Sequence, residues 1–330
     1  MSELYAGVDL GGTKIAAGLA TTDGKIVADR AVPTGSNEGP QAVVQRIADL
    51  INALAKDTGN RVKAVGIGVP GLADVTHGVT KFLPNMPGQW RDVPVRELLS
   101  PKVNCEVYLL NDARAATLGE LAFGHGRSVK DMVFYTLGTG IGGGIVIDGK
   151  LRLGPLGAAG ELGHVIVQPD GPRCACGSRG CLEIFASGPA LTGEGVRLLK
   201  SGQASILFEK IGGDASRVTP KSMADAAAAG DKAIQEAIRR AGYYLGLGVA
   251  GVISTLHPEM VVFGGGVAEM GAPLLDVVRE TAVKNVGLFP ADSVQFKQSE
   301  LRERAGLMGG VAVAMQAGIR EAADARLNKR

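Results

Sequence analysis

The sequence predicts an α/β protein built from two related halves, and two observations carry that expectation. An apolar strand running into a glycine-rich turn and then a second strand occurs near the start, at LYAGVDLGGTKIAAGLAT, and again after residue 130, at DMVFYTLGTGIGGGIVIDGKLRLG. Stretches whose apolar residues recur at helical spacing lie between and after these units, so strands and helices alternate along the chain. With 330 residues, 45% hydrophobic content and 49 glycines, the chain can bury a large core and divide it between two lobes.

Taken in order, residues 4–9 alternate into an apolar strand that ends in LGGTK, Leu10 to Lys14. Ile15–Thr21 and Lys25–Val32 read as further strands joined by an Asp23-Gly24 turn, so the chain opens on a β-meander. Gln41–Ala55 has helical spacing, and Val62–Gly71 is a strand entering a turn. CEVYLL reads as a strand and ARAATLGEL as the helix after it, which sets Asn111 and Asp112 at a strand end beside a helix N-terminus. That place favours an ionised carboxylate; an ordinary helix cap is the alternative for Asp112. Residues 231–257 form a long helix with Gly242, Gly246, Gly248 and Gly251 on or near one face, stopped at His257 before Pro258. EMVVFGGGV is then a strand ending in Gly264–Gly266, and Gly306–Leu327 is helical.

Charge and hydropathy exclude several functions. Net charge is +2 with both signs interspersed, so no nucleic-acid or membrane footprint is expected. The N-terminus lacks a basic start followed by an apolar run, and the apolar stretch Tyr243–Leu256 is too short to span a bilayer, so the expected location is the cytoplasm. Glycine turns let backbone N–H groups approach an anion closely, although a tight hairpin needs glycine as well. Neither of the first two turns is a Walker loop. Gly138, Gly140 and Gly143 satisfy G-x-G-x-x-G, but a hairpin rather than a helix follows them, which excludes a dinucleotide fold.

The stretch GHVIVQPDGPRCACGSRGCLE, Gly163 to Glu183, holds three of the four cysteines and one of the four histidines. His164, Cys174, Cys176 and Cys181 form a Cys3His set suited to a closed tetrahedral zinc. Reduced cytoplasmic thiols argue against a disulfide, and a redox pair is usually spaced Cys-x-x-Cys. Three unconnected thiols on a loop are the alternative. A structural zinc here would fix the loop carrying Glu161 and Glu183 without touching substrate. Cys105, in an apolar run, reads as core.

The set VDLGGTK, IGVPG, LPN, LLNDARAATLGE, LGTGIGGG, GELGHV, CACGSRGCLE and VVFGGGV resembles the ROK family (repressors, open reading frames, kinases) of sugar kinases, nearest to its bacterial glucokinases, over almost the whole chain. The resemblance implies a duplicated ribonuclease H-like fold of the actin and hexokinase type, two-lobed with an interdomain cleft for a hexose, and ATP with Mg²⁺ as donor. It implies Asp112 as the base that takes the proton of the sugar 6-hydroxyl. Asn85, Asn111, Glu161, His164 and Glu183, with Asp112, would bind the sugar, the histidine also reaching structural Zn²⁺. Asp9, Gly11, Gly12, Thr13 and Lys14 match the first phosphate loop, with Asp9 near Mg²⁺. Gly138, Thr139 and Gly140 match the second loop, and Gly265 and Gly266 the adenosine side. Thr136 stands where a duplicate of Asp9 would fall.

The lobes implied are residues 1–112, joined by a C-terminal helix 306–330, and residues 113–305 with a zinc loop 164–181; a homodimer or homotetramer is implied by the family. Glucose is the expected substrate, with N-acetylglucosamine, N-acetylmannosamine or mannose as alternatives and polyphosphate as a possible other donor. A non-catalytic ROK sugar sensor is the alternative of another class; its DNA-binding domain would precede the first strand, which here starts by Leu4. A filament protein of the actin class would lack the cysteine cluster. The family motif commonly has Asn where Arg114 stands, and Arg114 is expected to be a solvated helix residue. Trp90 reads as a packing anchor, and His77 and His125 receive no function.

Overall fold

The structure, a computed structural model, describes residues 3–327. It divides into two compact units, Met1–Ser128 with Leu151–Ala159 and Glu303–Arg330, and Val129–Lys150 with Gly160–Arg302. Residues 1–2 of the expected first lobe and 328–330 of the expected C-terminal helix lie outside the described residues.

The first unit opens with the meander β1 (Glu3–Leu10), β2 (Lys14–Ala20) and β3 (Ile26–Pro33). There follow α1 (Pro40–Thr58), β4 (Arg61–Val69), the small ribbon β5 (Leu72–Asp74) and β6 (Val79–Phe82), α2 (Val95–Val103), β7 (Glu106–Asn111) and α3 (Asp112–Phe123). Its sheet has the order β3-β2-β1-β4-β7, with β1, β4 and β7 parallel. One face is covered by α1, whose Val43, Ile47 and Ile51 meet Ile15, Leu19, Ile67 and Leu109 in a shared core. Each such side chain contributes roughly 1.5–3 kcal/mol by leaving water.

The second unit repeats the plan. Its elements are β8 (Met132–Leu137), β9 (Ile141–Ile147), β10 (Lys150–Arg152), α4 (Glu183–Ala186), α5 (Gly188–Lys200), α6 (Ser205–Ile211), α7 (Pro220–Ala228), α8 (Lys232–Leu256), β11 (Met260–Gly264), α9 (Ala272–Lys284) and β12 (Gln295–Gln298). The sheet order is β10-β9-β8-β11-β12, with β8, β11 and β12 parallel and β9 antiparallel. Strand for strand this is the arrangement of the first sheet, which is the duplication read from the sequence.

The chain then returns to the first unit as α10 (Ala305–Leu327). That helix packs on β1, β4 and α3, so α3 and everything to Ser128 stay with the first unit rather than parting at 112. Glycines permit this closeness. A Cβ on Gly310 would stand 2.6 Å from the Val8 nitrogen and 2.7 Å from the Gly66 oxygen.

Two expectations about α8 meet different outcomes. His257 does stop it, in a left-handed conformation (φ 43°) with its N–H donated to Ile253. Of the four glycines, however, only Gly242 and Gly246 face α9; Gly248 faces Leu182 and Gly251 meets nothing within 4 Å. Positions four apart share a helix face, whereas 248 and 251 have rotated off it. Trp90 is a packing anchor as expected, 2% exposed. No helix among the described residues is long and apolar enough to cross a membrane.

Candidate active site

In both units the glycine turns singled out from the sequence, and in the first also Asp9 and the Asn111–Asp112 pair, lie at the carboxyl ends of the parallel strands, the usual ligand-binding edge of such sheets. In the first unit β1 ends at Leu10 and the turn Gly11–Thr13 leads into β2. The Gly11 N–H donates to the Lys14 carbonyl at 2.9 Å, and the buried Thr34 hydroxyl donates to the Gly11 carbonyl at 2.7 Å. Thr34 therefore supports the turn, a role its place beyond β3 did not reveal. A Cβ on Gly12 would stand 3.0 Å from the Asn85 carbonyl oxygen, so that loop and the Asn85 loop run side by side. Burial of Asp9 raises its pKa, and the Lys14 ammonium pulls the other way.

Strand β7 delivers Asn111 and Asp112 to the same edge. Asn111 caps α3, its Oδ1 accepting from the backbone N–H groups of Ala113 and Arg114 at 3.1 and 3.2 Å. Its Nδ2 donates to the Gly71 carbonyl at 3.1 Å and to Asp112 Oδ1 at 2.9 Å. The cap is thus Asn111, and Asp112 is the first helical residue, its Oδ1 also accepting from Ala113 N–H at 2.8 Å. Arg114 is not solvated. It is 2% exposed, and its Nε, Nη2 and Nη1 donate to the carbonyls of Ala159 and Ala158 and to Asn111 Oδ1 at 2.8–2.9 Å. The expectation failed because those carbonyls lie far along the chain, where helix periodicity cannot see them.

In the second unit His164, Cys174, Cys176 and Cys181 offer ligand atoms all within 4.8 Å of one another. Cys174 Sγ lies 3.7 Å from His164 Nδ1, and Cys176 Sγ lies 3.7 Å from Cys181 Sγ. A tetrahedral zinc with bonds of about 2.0–2.3 Å sets its ligand atoms about 3.5–3.8 Å apart, so these residues fit that ion. Burial pushes the Cys181 thiol up to about 12, while the backbone N–H of Ser178 lowers that of Cys176. A cation at the centre would reverse the burial penalty by taking the thiolate form. The loop is held by Val167 N–H on the Gly180 carbonyl and Cys174 N–H on the Ser178 carbonyl, at 2.9 and 2.8 Å. Gly180 has φ 67° with its Cα against Gln168, a place that no side chain fits.

The other face of His164 points elsewhere. Its Nε2 is 3.9 Å from Glu161 Oε2, so the ring stands between the cysteines and that carboxylate. Glu183, paired with Glu161 in the sequence reading, sits instead on the second glycine loop, Oε2 accepting from Ile141 N–H at 2.8 Å. This loop is a hairpin turn closed by Gly138 N–H on the Gly140 carbonyl at 2.9 Å, and Gly188 N–H donates to the Gly138 carbonyl at 2.8 Å. Gly138, Thr139 and Gly266 line one cavity of about 590 Å³, together with Thr219 and Lys221 at the start of α7. Gly265 (φ 88°) is folded against the Leu137 carbonyl beside them. Lys221 escaped the sequence reading; the helix-start signal Thr219-Pro220 just before it could have marked it.

The sequence matches the ROK family over residues 5–317. It is 39% identical over 310 residues to a glucokinase of Thermotoga maritima, covering 93% of this chain and 96% of that protein. A glucokinase of Streptomyces coelicolor is 35% identical over 320 residues, with 95% and 98% covered. Among solved structures, a ROK family glucokinase from Streptomyces griseus in complex with glucose and AMPPNP superposes with a TM-score of 0.84 at 35% identity, covering 95% of this chain and 99% of that one. With its duplicated sheets, strand-end loops and Cys3His cluster, this chain belongs to the ROK family.

Proposed function

We propose that this chain is an ATP-dependent hexose kinase that phosphorylates glucose at its 6-hydroxyl. The observation that carries the reading is Asp112, held at the carboxyl end of β7 by the Asn111 amide and the start of α3, in a chain similar throughout to glucokinases, one of them complexed with glucose and AMPPNP.

In this reading the 6-hydroxyl oxygen attacks the γ-phosphorus of ATP as the bond to the bridging oxygen breaks, and the hydroxyl proton passes to Asp112; ADP and the sugar 6-phosphate leave. A loose phosphoryl-transfer transition state asks mainly for alignment, so an ordinary carboxylate suffices as base. Asn85, Asn111, Glu161 and His164 offer amide, carboxylate and imidazole groups that match sugar hydroxyls, which both donate and accept. Glu183 supports the second glycine loop through Ile141 and would reach the sugar from there. Backbone N–H groups of Gly11–Lys14 and Gly138–Gly140 would receive the phosphates, with Gly265 and Gly266 on the adenosine side. Asp9, a carboxylate whose burial disfavours its charge, would hold Mg²⁺ in company with the nucleotide, the ion screening phosphate charge. His164 and the three cysteines would hold a structural Zn²⁺ that keeps the Glu161 and His164 loop in shape. A cytoplasmic homodimer or homotetramer is part of the same reading, which light scattering checks.

The test is ADP release with ATP and Mg²⁺ across glucose, mannose, N-acetylglucosamine, N-acetylmannosamine and fructose. Glucose should give the highest kcat/KM, and Asp112→Asn should keep glucose binding while lowering kcat by roughly 10²–10⁴-fold. Unchanged turnover in that variant would remove Asp112 as base. Metal analysis should find one zinc per chain, and Cys176→Ser should lose it together with glucose affinity; a metal-free variant with wild-type kinetics would defeat the zinc assignment.

A further inference from the structure

Arg114 is a buried guanidinium two residues after the proposed base, and a charge so placed needs its donors met. Two are met by the Ala158 and Ala159 carbonyls, which hold the group in place, and Nη1 donates to Asn111 Oδ1 at 2.8 Å. That last bond joins the backbone N–H groups of Ala113 and Arg114 in settling a choice that Asn111 cannot make on its own shape, because the oxygen and nitrogen ends of a carboxamide are almost the same size. A guanidinium has only donors, so it selects the oxygen end. The nitrogen end must then face the Gly71 carbonyl and Asp112 Oδ1, as it does at 3.1 and 2.9 Å. With the amide reversed, an oxygen would confront both of those oxygens.

We infer that Arg114 is a positioning residue for the acceptor: its charged third donor, added to the two backbone N–H groups at the start of α3, locks the Asn111 amide in the one orientation that donates to Asp112, and so aims the carboxylate at the sugar hydroxyl. The inference rests on the hexose kinase reading and deepens it.

Steady-state kinetics of Arg114→Met, Asn111→Ala and the double variant test it. Arg114→Met should lower kcat/KM for glucose by roughly 10–100-fold, the scale of a misaligned reacting group, and leave KM for ATP unchanged. In the Asn111→Ala background the same substitution should change kcat little, because the group through which it acts is gone. Losses that multiply in the double variant, or wild-type kcat and KM for glucose in Arg114→Met, overturn the proposal. Should Arg114→Met melt far below the parent, Arg114→Lys carries the same cycle, since it keeps the charge but lacks the planar fork that reaches the Ala158, Ala159 and Asn111 oxygens at once. Asp112→Asn runs in the same series. If it turns over normally the base assignment falls, whereas the Arg114–Asn111 coupling is still decided by its own cycle.

Discussion

At Asp9 burial and charge oppose each other. Its raised pKa comes from desolvation first, with Lys14 acting against it. An acid whose pKa is higher folded than unfolded binds more protons in the native state over the window between the two values. Stability therefore falls as pH rises from the ordinary value of 3.8 through the raised one, and stays lower above it. Asp9→Asn should accordingly melt higher than the parent at pH 7 without ligands, the gap closing as pH falls below the carboxylate range. The same variant should lose roughly 10²-fold or more in MgATP-dependent kcat/KM, as removal of a charge-stabilising group does. A variant no more stable than the parent at pH 7 would contradict the desolvation argument, and thermal melts between pH 3 and 8 decide it. Asn111 and Asp112 were legible in the sequence because an apolar strand, two short polar residues and an alanine-rich helix sit side by side. Arg114 was not, because its partners arrive from 44 and 45 residues away.

The helix α10 does two jobs with two of its glycines. At Gly310 a methyl group would meet only backbone, Val8 N and Gly66 O, which cannot step aside. Gly310→Ala should therefore cost about 1–3 kcal/mol in denaturant unfolding, as overpacking does. At Gly306 the obstacle is the Asp9 carboxylate, a side chain that can rotate. Gly306→Ala should keep most of the stability and raise KM for MgATP, an opposite division of effects. Parent-like KM in that variant would detach Asp9 from the nucleotide. Neither role was readable from GLMGGVAVAMQ, where glycines in a helix suggest only close approach; the partner strand lies at the other end of the sequence. By contrast the loop at His164–Cys181 was legible as a ligand set, since its four residues fall within 18 positions and need no distant element to bring them together.

Across the whole molecule the repeated strand, glycine turn and strand revealed the duplication, and the two sheets share one order, each with three parallel strands beside an antiparallel one. The place where the first unit ends was less readable, because a boundary depends on which surfaces pack and not on where motifs stop. Three separate stretches of chain make up that unit, and its sheet has α1 on one face and α10 on the other. Ending the chain at residue 304 should leave β1 and β4 bare on that second face. Hydrogen exchange should then show the first unit's amides unprotected while β8 and β11 keep theirs, and glucose phosphorylation should vanish. Protection retained in β1 and β4 would mean that the sheet is complete without its last helix.

The same helix sets an order of events on the ribosome. The second unit's main stretch, to Arg302, emerges before α10, so its core can close while the N-terminal sheet still lacks one face. At typical elongation rates of about 5–20 residues per second, β1, β4 and β7 wait on the order of ten to forty seconds between the synthesis of α3 and that of α10. During that interval the glycine-flat surface of the strands is open to any passing helix. The sheet of the first unit, made early, is thus finished late, and nascent molecules should depend on chaperones at that unit rather than at the second.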